Sequence, residues 1–262
     1  MKILGILNIT ADSFSDGGKF LAPLDALAHA DRLLADGADI IDIGAASSHP
    51  DAAPVSPETE IARLEAVVPA LHDVGASLSI DSFSTPVQRW ALGQGVDYLN
   101  DIHGFADLAL YPDLAASGAR LIVMHMVQQD GVATRMDVPP DEIMGRILGF
   151  FERRLAALTA AGIASDRMIL DPGMGFFLGT NPETSLTVLG RLPEISDAFG
   201  LPLLVSVSRK SFLKALPGTP GEASLAAEMF AVRQGASYIR THAPSALREG
   251  LKLLEELEPD RR

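Results

Sequence analysis

The sequence contains no cysteine, which excludes disulfide bonds, zinc–thiolate sites and a cysteine nucleophile. It also lacks any run near the ~18 consecutive apolar residues of a membrane-spanning helix, and no signal-peptide pattern follows Met1. Basic residues are scarce: 21 Lys and Arg stand against 34 Asp and Glu, for a net charge of −13, which disfavours nonspecific binding to nucleic acid or anionic membranes. We therefore expect a soluble, cytoplasmic protein whose metal sites, if any, use oxygen or imidazole ligands.

What is present favours a folded globular chain. The 262 residues are 47% hydrophobic and 21% charged, and a chain of this size can form a substantial core. No linker-like stretch divides it. We therefore predict a single domain over residues 1–262.

One pattern recurs along the chain: an amphipathic stretch, a glycine, an apolar run and a polar residue where the run stops. The five clearest copies occupy residues 33–44, 91–101, 114–125, 158–173 and 231–242. The glycine of each copy is predicted to end a helix in the left-handed C-cap conformation; these are Gly37, Gly95, Gly118, Gly162 and Gly235.

Three further apolar runs, at 3–9, 77–82 and 201–208, raise the number of predicted strands to eight. The runs are continuous, which is typical of parallel strands covered on both faces. Helices are predicted between them, at about 24–36, 57–73, 86–94, 107–117, 140–161, 182–199, 223–235 and 244–257. Eight strands alternating with eight helices predict an α/β fold, a (β/α)8 TIM barrel, with an open doubly wound sheet as the alternative.

Polar side chains stand where the apolar runs stop, and in such barrels the C-terminal strand ends carry the active site. They are Asn8, Asp42, Asp81, Asn100, Asp101, His125, Asp171, Arg209, Lys210, Arg240 and His242. A lone Asp at such a position is more often a helix cap than a functional group, but the joint pattern favours a binding site. His125 is interpreted as a structural histidine of the barrel rim.

The polar set divides into two chemical classes. Asp81, Asn100 and Asp171 offer carboxylate and amide groups that suit a flat heterocycle presenting N–H donors and carbonyl acceptors. A second class, Arg240 and His242 with Asn8 nearby, suits phosphate or pyrophosphate together with a hard metal ion. Lys210 is placed to join the two regions, so the sequence predicts a heterocycle linked to an anion.

Seven stretches, in order along nearly the whole chain, resemble the motifs of dihydropteroate synthase: GILNITADSFSDGG, ADIIDIG, SIDS, YLNDI, LDPGMGF, SVSRKSFL and YIRTH. The resemblance implies a dimeric (β/α)8 enzyme that condenses 6-hydroxymethyl-7,8-dihydropterin pyrophosphate with p-aminobenzoate, releasing pyrophosphate. Two alternatives stay open: a methyltetrahydrofolate:corrinoid methyltransferase and a noncatalytic pterin-binding protein.

The resemblance also implies residue roles. The pterin would be held by Asp81, Asn100, Met124, Asp171, Lys210 and Arg240, and the pyrophosphate by Asn8, Arg240 and His242, with Mg²⁺ at Asn8. Asp81, Asp171, Lys210, Arg240 and His242 would form the catalytic group. The p-aminobenzoate pocket would use Phe14, Ser47, Ser48, Phe176, Phe177 and Ser211, with the loop 11–18 closing over the reacting centre.

Two stretches depart from the common family pattern. The loop usually written GGESTRPG reads GAASSHPD at 44–51, so His49 stands where the family has an arginine. Phe177, in GMGFFLG, stands where many members have a glycine. Both departures are similar to the mobile sulfonamide-resistant dihydropteroate synthases. We therefore expect Phe177, with Phe176, to narrow the p-aminobenzoate pocket and to lower sulfonamide sensitivity.

Overall fold

The computed structural model describes residues 1–10, 22–128, 131–133, 135–136 and 138–257. Its strands are β1 (Lys2–Asn8), β2 (Ile40–Gly44), β3 (Leu78–Asp81), β4 (Tyr98–Asp101), β5 (Arg120–Met124), β6 (Met168–Asp171), β7 (Leu204–Val205) and β8 (Tyr238–Thr241). Its α-helices are α1 (Ala22–Ala35), α2 (Pro57–Glu65), α3 (Val68–Asp73), α4 (Thr85–Gly93), α5 (Tyr111–Ala116), α6 (Pro140–Ala160), α7 (Pro182–Gly190), α8 (Leu192–Phe199), α9 (Pro220–Arg233) and α10 (Pro244–Leu257).

The eight strands form one parallel sheet in the order β6-β5-β4-β3-β2-β1-β8-β7. β1 pairs with both β2 and β8, so the first and last strands are neighbours. The two edges, β6 and β7, approach each other through a bridge between Leu170 and Leu203. The sheet is thus a nearly closed barrel, and the prediction of a (β/α)8 fold is confirmed, whereas the open-sheet alternative is wrong.

The seam between β6 and β7 is weakly hydrogen-bonded. β7 spans only Leu204 and Val205, although the sequence predicts a strand over 201–208. Pro202 has no N–H to donate, although its carbonyl accepts from the Leu170 N–H at 2.9 Å. After β7 the chain turns at once, with the Lys210 N–H donating to the Val207 carbonyl at 3.0 Å.

Two predicted helices are each divided in the structure. The segment 57–73 forms α2 and α3, and 182–199 forms α7 and α8. Each second helix has a proline in its first turn, Pro69 or Pro193, and a proline removes a backbone donor and restricts the preceding residue. Both divided segments begin with a side-chain N-cap: Ser56 accepts from the Thr59 N–H, and Asn181 accepts from the Glu183 N–H.

The helix-ending glycines follow the repeat with one exception. Gly37, Gly95, Gly162 and Gly235 have φ between 74° and 94°. Gly118 does not adopt the left-handed conformation, because α5 ends at Ala116 and Ser117 already takes an extended conformation, with φ −83° and ψ 163°.

Most apolar side chains lie between the sheet and its helices, with Phe151 and Leu33 fully buried there. No helix among the described residues is long and apolar enough to cross a membrane. The single domain over 1–262 stays a prediction.

Candidate active site

An apolar layer inside the barrel positions the polar groups above it. It comprises Leu4, Ile40, Ile122, Ile169, Leu204 and Tyr238, with Tyr98 packed against them. Successive side chains of a strand point to opposite faces, so the residue two positions later along each strand also faces the interior. Those residues include Asp42, Asn100, Met124, Asp171, Ser206 and Arg240. The site therefore begins where the apolar filling of the barrel ends.

Arg240 is the central cation of this layer, and its side chain is only 14% exposed. Its Nε donates to Asp42 Oδ2 at 2.5 Å, and its Nη2 donates to Asp81 Oδ2 at 2.7 Å. Asp42 is fully buried, so its charge is tolerable only because a cation pairs with it. The guanidinium thus joins β2, β3 and β8 at their C-terminal ends.

Two buried oxygens in this cluster have no hydrogen-bond partner among the described residues: Asp42 Oδ1 and Asn100 Oδ1. Asn100 contacts Asp42 through its Nδ2, at 3.5 Å from Asp42 Oδ2. Unpaired buried acceptors are costly and mark a place for a ligand or water that donates hydrogen bonds. A heterocycle carrying N–H and NH₂ groups meets that requirement.

The carboxyls and the lysine of the site have shifted proton affinities. Burial raises the pKa of Asp81 to about 7, against the opposing charge of Arg240. Burial likewise raises the pKa of Asp171 to about 6, although the Gly173 N–H donates to its Oδ1 at 2.8 Å. Burial, with the charge of Arg240, lowers the pKa of Lys210 to about 8. Such shifts, in groups that share a cavity, are typical of functional sites.

A deep cavity of 40 Å³ lies within this cluster, which is room for about one water molecule. Met124, Phe177 and Ser206 line it together with the acidic and basic groups. The Lys210 ammonium lies 4.6 Å from the centre of the Phe177 ring, in a cation–π contact. Phe177 is therefore a wall of the deep cavity and is itself only 7% exposed.

An outer cavity of 590 Å³ adjoins the deep one and opens at the mouth of the barrel. Six residues line both cavities: Ser48, Asp81, Phe177, Ser206, Lys210 and Arg240. The outer cavity also has Asn8, Ser47, His49, Phe176, Ser208, Arg209, Ser211, Lys214 and His242 in its lining. Its cations make it suited to an anion, in a protein that is acidic as a whole.

His242 is held from beneath by Ser208. The His242 N–H donates to Ser208 Oγ at 3.2 Å, and Nδ1 of the ring lies 3.1 Å from the same oxygen. Burial, with the charges of Arg209 and Arg240, lowers the pKa of His242 to about 3. The free site therefore contains a neutral imidazole.

The loops after β2, β5 and β6 meet at the rim of the outer cavity. Arg135 makes a two-pronged ion pair with Asp51, at 2.9 and 2.6 Å, and its guanidinium lies 5.9 Å from the Phe176 ring centre. The His49 ring meets Phe176 edge-on at 5.7 Å. His49, which stands at the family's arginine position, thus packs against Phe176. Arg135 places a positive charge next to the same phenylalanine ring.

The structure brings the predicted site residues to these two adjoining cavities, apart from Phe14, which lies outside the described residues, as does the loop 11–18. Asp42 also belongs to the site, although the sequence assigns a role only to other strand-end groups; its position two residues after the interior Ile40 is the signal that marks it. Asp101, by contrast, accepts from the His103 and Phe105 N–H groups and stabilises the loop after β4. His125 Nδ1 contacts the Pro172 carbonyl at 3.1 Å, in keeping with a structural role.

Comparison with known proteins gives concordant matches. A family model described as "Pterin binding enzyme" matches residues 4–242. The chain is 57% identical to dihydropteroate synthase type-2 of Escherichia coli, over 98% of this chain and 96% of that protein. Two solved structures superpose on it. The Xanthomonas albilineans dihydropteroate synthase with 4-aminobenzoic acid has a TM-score of 0.88 at 31% identity, covering 98% of this chain and 93% of that one. The Anaplasma phagocytophilum enzyme with bound 6-hydroxymethylpterin-monophosphate has a TM-score of 0.86 at 35% identity, covering 98% of each chain.

Proposed function

The chain belongs to the dihydropteroate synthases, within the pterin-binding enzymes, and from this membership we propose how its residues divide the work of the reaction. The family resemblance predicted from the sequence is confirmed, and the protein is a transferase of folate biosynthesis. It joins the dihydropterin methylene carbon to the amine of p-aminobenzoate and releases pyrophosphate. The observation that carries the proposed roles is that the two cavities share part of their lining, including Asp81, Lys210 and Arg240.

We assign the dihydropterin ring to the deep cavity. Asp81, Asn100 and Asp171 would accept hydrogen bonds from its N–H and NH₂ groups, while Met124 would pack against its face and Lys210 would donate to a ring acceptor. The unpaired Asn100 Oδ1 supports this assignment. Because the cavity has only 40 Å³ in this structure, some of the side chains that line it must move before a bicyclic ring can enter.

The pyrophosphate belongs at the mouth, beside Asn8, Arg240 and His242. Mg²⁺ prefers oxygen ligands and commonly uses one or two protein groups plus substrate phosphates and water. Asn8 lines the outer cavity, and its amide oxygen would be the single protein ligand of an ion held otherwise by pyrophosphate and water. When bound, the ion would offset part of the negative charge of the leaving group.

Catalysis in this scheme rests on position and charge, without a covalent intermediate on the protein. The methylene C–O bond breaks, and its electron pair leaves with pyrophosphate. The amine of p-aminobenzoate forms the new C–N bond and releases one proton to solvent. Arg240 and His242 stabilise the departing charge. Asp81 and Asp171 hold the pterin ring as it becomes electron-poor. Lys210 keeps the ring and the leaving group in the relative position that the reaction requires.

A product assay separates the synthase from its two alternatives. Mixing dihydropterin pyrophosphate with p-aminobenzoate should yield dihydropteroate and one equivalent of pyrophosphate. Pterin binding without either product would support the noncatalytic alternative, and methyl transfer from methyltetrahydrofolate to a corrinoid would support the methyltransferase.

For p-aminobenzoate we propose the part of the outer cavity formed by Ser47, Ser48, Phe176, Phe177 and Ser211. Phe177 would act as the wall that separates p-aminobenzoate from bulkier sulfonamides. A steric barrier of this kind discriminates between ligands by penalising the larger one. The enzyme would then be of the sulfonamide-insensitive type.

The test replaces Phe177 with glycine. Phe177→Gly should lower the sulfonamide inhibition constant by about tenfold or more while dihydropteroate synthesis continues, because the obstructing ring is gone. Phe177→Leu, which keeps most of the bulk, is the matched control and should stay near the parent. Unchanged sulfonamide inhibition in an active Phe177→Gly enzyme would exclude the barrier.

A homodimer and a cytoplasmic location also belong to this proposal. Light scattering would distinguish a dimer from a monomer of 27.7 kDa, and cell fractionation would test the location.

A further inference from the structure

The ion pair between Asp51 and Arg135 joins two loops at the mouth of the barrel. Each carboxylate oxygen of Asp51 accepts from one guanidinium nitrogen of Arg135, at 2.9 and 2.6 Å. Asp51 follows β2 and Arg135 follows β5, and these strands are separated in the sheet by β3 and β4. The pair therefore connects loops that the sheet itself does not hold together.

This ion pair is exposed, with 56% of the Arg135 side chain and 59% of the Asp51 side chain accessible to solvent. Exposed pairs usually add little to global stability. The side-chain hydrogen bond from Arg135 lowers the pKa of Asp51, so the carboxylate is charged near neutral pH. A two-pronged pair also fixes the relative direction of its partners. Its effect should therefore be on the position of the two loops rather than on folding.

Phe176 contacts side chains from both of these loops. The Arg135 guanidinium lies 5.9 Å from the centre of its ring, within reach of a cation–π contact, and the His49 ring meets it edge-on at 5.7 Å. The Asp51 N–H donates to His49 Nδ1 at 3.2 Å. One aspartate thus orients both groups that contact Phe176, through its carboxylate on one side and its backbone on the other.

Backbone hydrogen bonds extend this arrangement to Phe177. The Ala133 N–H donates to the Ser48 carbonyl at 3.2 Å, and the Val127 N–H donates to the Phe177 carbonyl at 2.9 Å. Ala133 and Phe177 also belong to one apolar cluster, against which Phe176 packs. The loop after β5 therefore contacts both the loop after β2 and the residue proposed as the wall of the p-aminobenzoate pocket.

We propose that Asp51 and Arg135 are positioning residues for substrate specificity: their ion pair holds Phe176, and with it Phe177, in the arrangement that admits p-aminobenzoate and excludes bulkier sulfonamides. Neither residue lines the outer cavity, so both act through the phenylalanines. The inference rests on the proposed role of Phe177 as the wall.

A double-mutant cycle tests the pair. Asp51→Asn and Arg135→Gln each remove one charge. Either change should lower the inhibition constant of sulfamethoxazole about threefold, because Phe176 is no longer held in one place, and the double variant should lower it no further. The kcat and the KM for p-aminobenzoate should stay close to those of the parent. An unchanged inhibition constant in both single variants, or effects that add in the double variant, would overturn the proposal.

Asp113→Asn is the matched control. Asp113 is an exposed carboxylate on α5 that pairs at 2.7 Å with an arginine of another helix, Arg89 on α4. Its replacement should leave the inhibition constant unchanged. An equal decrease in Asp113→Asn and Asp51→Asn would show a general effect of surface charge and would contradict the specific role of the pair.

Hydrogen exchange measures the loops without any inhibitor. The amides of Val127 and Ala133 should exchange about threefold faster in Asp51→Asn than in the parent, whereas the Leu170 amide, which donates to the Pro202 carbonyl, should not change. Equal rates at Val127 and Ala133 in variant and parent would overturn the proposal.

Failure of the pair and failure of the wall have different signatures. Greater sulfonamide sensitivity in Phe177→Gly, with none in Asp51→Asn, would refute the role of the ion pair alone. If Phe177→Gly itself stays insensitive, the wall fails and the specificity role of the pair fails with it, while faster exchange in Asp51→Asn would still show that the pair holds the loops.

Discussion

Arg240 shows how much of the site depends on the shape of one side chain. Its planar guanidinium spans two carboxylates on neighbouring strands, Asp42 and Asp81. A lysine carries the same charge as a single point on a flexible stem and cannot reproduce this fork.

We therefore expect Arg240→Lys to lower kcat/KM by about 100-fold or more, because one buried carboxylate loses its partner. Steady-state kinetics with both substrates would measure this. Arg248→Lys is a matched control outside the site, since the Arg248 guanidinium also bonds an aspartate, Asp39, at 2.9 Å. Similar losses in both variants would show that the effect is a general one of replacing arginine.

At the scale of elements, the loop after β6 is set by Gly173. Its φ is +75°, and a Cβ added there would collide with the His125 carbonyl oxygen. The same residue donates its N–H to Asp171. The loop conformation and the position of the Asp171 carboxylate therefore depend on one glycine.

Gly173→Ala should destabilise the protein by about 2–3 kcal/mol and weaken pterin binding, because both the left-handed backbone and the collision oppose a side chain. Denaturant unfolding and pterin titration would measure the two effects. Gly145→Ala, inside α6 with open space around the added carbon, should instead stabilise by about 0.5–1 kcal/mol. A Gly173→Ala protein as stable as the parent would contradict the role given to this glycine.

The elements themselves were largely predictable, because helices and strands follow periodic patterns that the sequence displays directly. The points at which predicted helices are interrupted were harder to predict. Pro69 and Pro193 divide two predicted helices, and both prolines were visible, but the apolar spacing continues across them.

Phe177 illustrates a different limit: the sequence places it in the correct loop, whereas its contact with Lys210 depends on how the loops after β6 and β7 meet in space.

The site was predictable to the extent that strand ends converge in a barrel. Which strand-end side chains face inward requires the register of each strand. Asp42 and Asp101 both follow apolar runs, yet Asp42 faces the interior and Asp101 stabilises a loop. The pairing of Arg240 with two particular carboxylates likewise depends on the order of strands around the barrel.

For the molecule as a whole, the buried carboxyls make stability depend on pH. The pKa of Asp81 rises from an ordinary 3.8 to about 7 in the folded protein. The folded state thus holds a proton that the unfolded chain releases earlier. The stabilisation from this group is complete below pH 3.8 and is lost as the pH rises through about 7.

Asp81→Asn removes this dependence. The stability of the variant relative to the parent should therefore improve from about pH 4 to about pH 7 and then level off, as determined by denaturant unfolding without ligands. Asp113→Asn, at an exposed carboxylate paired with Arg89, provides a surface control. A constant difference between Asp81→Asn and parent across this range would contradict the raised proton affinity of Asp81.

The weak seam of the barrel has a consequence for substrate entry. Asp171 ends β6 and Lys210 follows β7, so the two groups flank the seam at which a single bridge joins the sheet edges. Expansion of the barrel at this point breaks fewer backbone hydrogen bonds than at any fully paired strand junction among the described residues. Expansion of the barrel would therefore enlarge the deep cavity between these two side chains first, and amide hydrogens of β7 would exchange with solvent ahead of those of β1.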